Sequence, residues 1–253
     1  MTTRDIRRQR IFLRTLESEF LKAGFYPPIT VTALAIVLFS AVASAYLTYM
    51  AWARPDAAAG LTPFSAYQFA LPAEQVGFAL LGALVLYMDE TVMVRTLLAV
   101  PNRGRLLATK VAVSAALSAG ISALSVSAAY GASIAVLAVL GCGASADVGG
   151  FVRVGSLVAW WAALSVLVTL LSVLVRKSMP VLVVSLAMML ALSPVLRSLT
   201  AAAAWLPDQL ALCLYQVSPS EGSIGMPTAA VGLALWLVAA YAGARASLAR
   251  LSV

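Results

Sequence analysis

An all-α, polytopic membrane protein is the fold class this sequence predicts, and three observations carry that reading. The first is composition: of 253 residues, 62% are hydrophobic and 11% charged, with a mean hydropathy of +0.96. A soluble globule carries about 25% charged residues to keep its surface solvated, so an ordinary soluble enzyme is excluded. The second is the placement of the charges. Uncharged runs cover 23–53, 111–146, 154–175, 178–196 and 222–244, and each reaches the roughly 18 apolar residues of a bilayer span. The third is the shorter run 75–88, bounded by Glu74 and Asp89, which completes a sixth span if Glu74 lies at the membrane interface.

The six spans are expected at about 28–52, 70–88, 108–140, 152–175, 179–196 and 226–244, within one transmembrane domain covering 1–253. The third is longer than a span requires. Tilt, or a helix that ends early at Gly131, would absorb the excess. Six spans put both termini on one side, and the positive-inside rule selects that side. Only Arg54, Arg153 and Arg197 of the 17 basic residues fall on the other side, so both termini are expected in the cytoplasm.

Composition also excludes several chemistries. There is no His, which removes imidazole catalysis and His-ligated metal or haem. Cys142 and Cys213 are isolated from one another and from any cluster spacing. No GxxxxGK[ST] run occurs, so the chain does not cradle ATP by itself. It is expected to be no enzyme, with no catalytic residue and no metal or cofactor of its own. A pI near 9.8 is read as membrane orientation rather than nucleic-acid binding. A cleavable signal peptide is not expected, because the first apolar stretch is too long for one.

Four segments outside the spans carry information. In 9–22, Phe12, Leu16 and Phe20 recur at four-residue steps with Leu13 beside them, opposite Arg10, Arg14 and Glu17. That pattern predicts an amphipathic helix on the inner membrane surface, its basic residues facing anionic lipid; a plain extension of the first span is the other reading. Tyr26-Pro27-Pro28 opposes that extension by breaking the chain. The second segment runs from Asp89 and Glu90 to Lys110. Val92, Leu97, Leu98 and Val100 offer apolar surface beside Arg95, Arg103 and Arg105, and Pro101-Asn102 with Gly104 predicts a turn. Either this is a solvated connector or a short helix that docks into another cytoplasmic protein, and its apolar side chains favour docking. Third, the outer segment 197–225 is apolar but interrupted by Pro207, and each half is too short to cross, so it is expected to dip into or lie on the outer leaflet. Fourth, Cys142 and Cys213 share the outer side, where they are either free thiols or a disulfide joining the third-to-fourth loop to the outer segment.

Within the spans, Ser114, Ser118, Ser122 and Ser125 share one face of the third. They are candidates for close helix packing through small residues, or for lining a translocation path. Trp160 and Trp161 are read as packing or interface residues. No charge falls near the middle of a predicted span, which argues against an ion pore and against proton- or sodium-coupled transport.

Three local features together resemble the permease subunits of ATP-binding-cassette transporters, specifically the type-2 exporter class common in actinobacteria. They are the run Leu16-Glu17-Ser18-Glu19-Phe20-Leu21-Lys22, the stretch from Leu97 through Pro101 and Arg103 to Lys110 preceded by Asp89 or Glu90, and Trp205-Leu206-Pro207 before the last span. A Gly-Thr pair expected ahead of the loop helix is missing. The resemblance implies a transport cycle in which two permeases, identical or related, pair above two copies of a cytoplasmic ATPase that holds ATP and Mg. Val92, Leu97 and Leu98 would anchor in the ATPase while Arg95, Arg103 and Arg105 set register by charge. Glu90 is either a structural ion pair with Arg95 or Arg14 or a coupling residue. The implied function is ATP-driven export of an amphipathic or hydrophobic substrate (a peptide antibiotic, drug or lipid-like compound) across the cytoplasmic membrane, with antibiotic resistance as its physiology. A secondary carrier and a non-transporting membrane scaffold or sensor are the rival readings.

Overall fold

The structure is a computed structural model that describes residues 15–53, 67–90, 103–141, 148–216 and 224–250. A helix over 15–25 (α1) passes through the extended residue Tyr26 into Pro27–Trp52 (α2). Leu71–Glu90 (α3), Arg103–Val139 (α4) and Val148–Val175 (α5) follow. Next come Ser178–Leu199 (α6), with a π-helical turn at Met188–Leu192, and a 3₁₀ turn at Ala201–Trp205. Pro207–Tyr215 (α7) and Met226–Ala249 (α8) complete the described chain. No strand occurs among the described residues. Six helices, α2, α3, α4, α5, α6 and α8, are long and apolar enough to cross a membrane, so the expectation of a multi-pass helical fold holds.

Local chemistry explains most helix ends. Pro27 occupies the first turn of α2, where its missing N–H is no loss and its fixed φ suits the helix. Between α5 and α6 the chain turns within Arg176 and Lys177, and Arg176 takes a left-handed conformation with φ 65°. The π turn in α6 lies just ahead of Pro194. A proline ring clashes with the carbonyl four residues back, and a widened turn relieves that clash without ending the helix.

The start of α4 needs correction: the helix begins at Arg103 rather than 108. It ends at Val139, close to the expected 140 and 37 residues in all, and of the two ways to absorb its length the early end at Gly131 does not occur. At its start, Gly104 is helical instead of forming a tight turn. Burial of Leu106 and Leu107 outweighs the roughly 1 kcal/mol that a helical glycine costs. At Gly131, apolar surroundings offer the backbone no partner except its own helix. The result is a helix about 55 Å long, longer than the hydrocarbon core of about 30 Å. The expected interruption at Pro207 is present: the five-residue 3₁₀ turn and the nine-residue α7 are each too short to cross, and Leu210, Ala211 and Tyr215 bury against the bundle.

The bundle is organised around α3 and α5, the most deeply buried of the spans. The two run parallel and very close. Ser165 Oγ donates to the Phe78 carbonyl at 2.7 Å, and one turn on Thr169 Oγ1 donates to the Gly82 carbonyl at 2.8 Å. Trp161 stacks on Phe78 with ring centroids 4.5 Å apart. Gly82 is what permits this approach: a Cβ there would collide with the Ser165 carbonyl and lie 2.9 Å from its Cα. Close approach of backbones through small residues is a principal source of helix association in lipid. A second, smaller apolar cluster of Leu86, Leu107, Val166, Leu170, Val173, Ala244 and Leu248 joins α3, α4, α5 and α8 at the end of the bundle nearest α1.

Replacing Gly82 with Ala should push α3 from α5 and lower the thermal midpoint of the detergent-purified protein by several degrees. Gly120→Ala, where a Cβ meets nothing within 4 Å, should leave it unchanged or slightly raised. Equal midpoints for the two variants would refute the close-approach account.

Candidate functional site

The site begins with a charge placed where an apolar residue would be expected. On α1, Ala23 is buried, and Leu16 and Phe20 pack against the core, but the same face carries Glu19, only 3% exposed. Its partner is Lys110, 4% exposed and two turns into α4. Lys110 Nζ donates to Glu19 Oε2 at 2.9 Å, and Lys22 Nζ, one turn on in α1, donates to Oε1 at 2.6 Å. Burial alone would raise the Glu19 pKa, but the two ammonium groups outweigh it and hold the carboxyl below its ordinary value. The pair therefore fastens an N-terminal helix that never crosses to the base of the longest span. Outward, α1 presents Leu21 and Phe25, the latter 83% exposed, which suits a helix lying in a membrane surface.

The second half of the site is a polar seam inside the bundle. On α2, Ser40, Ser44 and Thr48 are all buried at four-residue spacing. Ser40 pairs with Ser125 of α4, Ser44 meets Ser133 at 2.6 Å, and Thr48 Oγ1 donates to Ser133 Oγ at 3.0 Å. The rising numbers on both partners show that α2 and α4 run parallel. Further along α4, Ser114 pairs with Thr169 of α5 at 3.0 Å. At the seam's heart sits Glu74 of α3, 2% exposed. Tyr67 Oη donates to its Oε2 at 2.7 Å and Ser125 Oγ at 3.4 Å, while Oε1 has no hydrogen-bond partner among the described residues.

Of the serines singled out on α4, all four are buried. Ser114 and Ser125 bond across to neighbouring helices, whereas Ser122 donates to the Ala119 carbonyl of its own helix. Glu74, at the edge of an uncharged run in the sequence, is buried in the bundle, where Tyr67 and Ser125 offer it hydrogen bonds. In the proposed docking loop, Val92, Arg95, Leu97, Leu98 and Pro101 lie outside the described residues, as do the side chains of Glu90 and Arg103. Arg105 falls within the first turns of α4 rather than in a loop. Cys213 bonds to no described cysteine and its thiol donates to the Gln209 carbonyl at 3.4 Å; Cys142, its partner in the disulfide alternative, lies outside the described residues. Trp160 and Trp161 are fully buried.

Sequence reasoning missed the Glu19–Lys110 pair and the α2 half of the seam. A signal existed for the seam in the spacing of Ser40, Ser44 and Thr48, the same four-residue rhythm noticed on α4. For the pair the signal was weaker: one Glu on the apolar face of a surface helix, and one Lys a short way inside a span. No group of three or more metal-ligating side chains occurs among the described residues.

Breaking a buried ion pair from one side costs about 3–5 kcal/mol, because the other charge is left uncompensated. Lys110→Met should therefore destabilise the protein strongly, and adding Glu19→Gln should recover part of the loss; a double variant no better than the single one would argue against the pair. Because the folded-state pKa of Glu19 is depressed, its contribution is complete above the ordinary value of 4.5 and is lost as pH falls through the lower folded value. Native protein should lose stability across that acid range more steeply than Glu19→Gln, as read from thermal midpoints against pH.

Compared with protein-family models, with curated proteins and with solved structures, the chain matches none.

Proposed function

We propose that the chain is the membrane-spanning subunit of an ATP-binding-cassette exporter of the type-2 class. In this reading it lies in the cytoplasmic membrane with both termini inside the cell. It pairs with a second permease, and two copies of a separate ATPase drive it. The cargo is an amphipathic or hydrophobic compound.

The observation that carries this reading is the fastening of α1 to α4 through Glu19 and Lys110. An ATP-driven permease has to convert a push at a cytoplasmic contact into movement of helices. Residues 91–102 lead directly into α4, so a partner bound there by Leu97 and Leu98 would push on α4 along its axis. Lys110 stands two turns from that point. It would pass the motion to α1, and through the short joint at Tyr26 to α2. The cluster of Leu107, Leu86, Leu170 and Leu248 ties the same base to α3, α5 and α8. A rigid base of this kind is what such coupling requires.

A second reading has one observation in its favour. Glu74 is a carboxylate enclosed within a span, and an ionisable group there marks ion or proton pathways in many membrane proteins. Under that reading the chain is a proton-coupled carrier.

Co-expression with an ATPase encoded beside it should yield a stable assembly of two permeases and two ATPases. Changing Leu97 and Leu98 to Asp should abolish recovery of the ATPase while leaving the thermal midpoint of the permease unaltered. Undiminished recovery would remove the docking assignment. In inverted vesicles, cargo uptake should need ATP and persist when the proton gradient is collapsed; uptake driven by the gradient without ATP, and lost in Glu74→Gln, would favour the carrier.

A further inference from the structure

On one flank of the bundle α4 and α8 stand apart and leave part of α5 open between them. The opening is a groove of about 460 Å³, within the roughly 300–1,000 Å³ of small-molecule sites. Ala115 of α4 and Ala159, Ala162 and Ala163 of α5 line it, so its width comes from side chains that stop at Cβ. The floor is the smaller apolar cluster near the base. Val166 and Leu170 belong to that cluster, and Val111, Leu237 and Tyr241 pack against it from either side. Along α5 the lining runs from Ala159 to Leu170, about 17 Å at 1.5 Å per residue. That is close to the depth of one leaflet's hydrocarbon, half of about 30 Å.

The end of the groove nearest the base carries a charge. On α8, Leu237, Val238 and Tyr241 line the groove, and Arg245 follows Tyr241 by one turn. At about 100° per residue, Arg245 falls on the face those three share, and Arg250 falls on the opposite one. Arg245 is exposed and forms no ion pair with a described residue. Its surroundings are also basic: Arg176 donates to the Ser247 carbonyl of α8 at 3.5 Å, which sets the Arg176–Lys177 turn at the same level. Neither Arg176, Lys177 nor Arg250 has an acidic partner among the described residues. An uncompensated guanidinium at the mouth of an apolar trough calls for an anion that brings its own apolar chain. Basic pockets between spans recognise acidic lipid headgroups in this way.

We infer that the groove holds one anionic phospholipid. An acyl chain lies over Ala159, Ala162 and Ala163, and the phosphate meets Arg245. Tyr241, one turn deeper, is the residue type that settles at the headgroup level. A zwitterionic lipid offers the same chain, but its own ammonium offsets the phosphate and leaves the guanidinium less well satisfied. A lipid held there ties α4 to α8 along the groove. Binding needs neither ATP nor an ATPase, so the inference is independent of the exporter reading.

The test uses the full chain in a mild detergent, read by native mass spectrometry, which resolves each bound lipid. The titrants are phosphatidylglycerol and phosphatidylcholine with identical acyl chains. One phosphatidylglycerol should bind about fivefold or more tighter than phosphatidylcholine. Arg245→Gln should erase that preference, whereas Arg250→Gln, on the opposite face of α8, should keep it. Ala162 belongs to neither apolar cluster, and Ala162→Phe should fill the groove and weaken both lipids several-fold. Thermal midpoints confirm that each variant is folded, and the comparison of the two lipids on the native chain needs no variant. Equal affinity for the two lipids, a preference that survives Arg245→Gln, or unchanged binding in Ala162→Phe would each overturn the inference. An equal loss in Arg250→Gln would overturn it by assigning the preference to diffuse surface charge. A lipid-free dimer that Ala162→Phe dissociates would overturn it by giving the groove to a helix of a second copy.

Discussion

Hydrocarbon offers no partner to a hydroxyl or a carboxylate, and that single constraint orders most of this structure. Most hydroxyls carried into the bundle find their hydrogen bond on a neighbouring helix or on their own backbone. Ser165 and Thr169 reach the carbonyls of Phe78 and Gly82; Ser40, Ser44 and Thr48 reach Ser125 and Ser133. These bonds are individually modest, on the order of 1 kcal/mol in membrane proteins. Their larger effect is on register, because only one axial alignment satisfies all of them together. Apolar side chains of similar size would hold the helices equally near without specifying which turn meets which.

The charges obey the same rule with higher stakes. Glu19 and Lys110 are tolerable in their places because each neutralises the other and Lys22 adds a second donor. Glu74 manages with hydroxyl donors from Tyr67 and Ser125. The pair and the seam also share a helix, α4, which carries Lys110, Ser114, Ser125 and Ser133 in sequence along one continuous rod. Whatever displaces the base of that rod acts on every interhelical bond along it.

Much of this architecture was legible in residue order. Spans are recognisable because uncharged runs of sufficient length have few other uses, and the Tyr26-Pro27-Pro28 break separated α1 from α2 as expected. What was not legible depends on which way a residue faces. Glu74 at the edge of an apolar run gives no sign of its burial, which depends on Tyr67, seven positions before it, and on Ser125 of α4. Gly104 and Gly131 read as breaks in water, yet apolar surroundings make the intrahelical bond the backbone's best option. Glu19 and Lys110 are 91 positions apart, and no periodic pattern connects residues at that distance. The groove between α4 and α8 was invisible for a related reason: three separate stretches of chain supply its wall.

The contrast between the central helices and their surround has a bearing on biosynthesis. α2 is made before α3 and α5, is strongly apolar and in the finished fold keeps most of its surface outside the protein. One of its hydroxyls, Ser40, already donates to the Ile36 carbonyl within the same helix, so α2 can partition into lipid alone. α3 is less hydropathic, carries Glu74, and ends up mostly enclosed. It is the segment a translocon would release with most reluctance, and its natural companion α5 is made only later. Until α5 arrives, the nascent chain has to shelter α3 against α2 or within the insertion machinery.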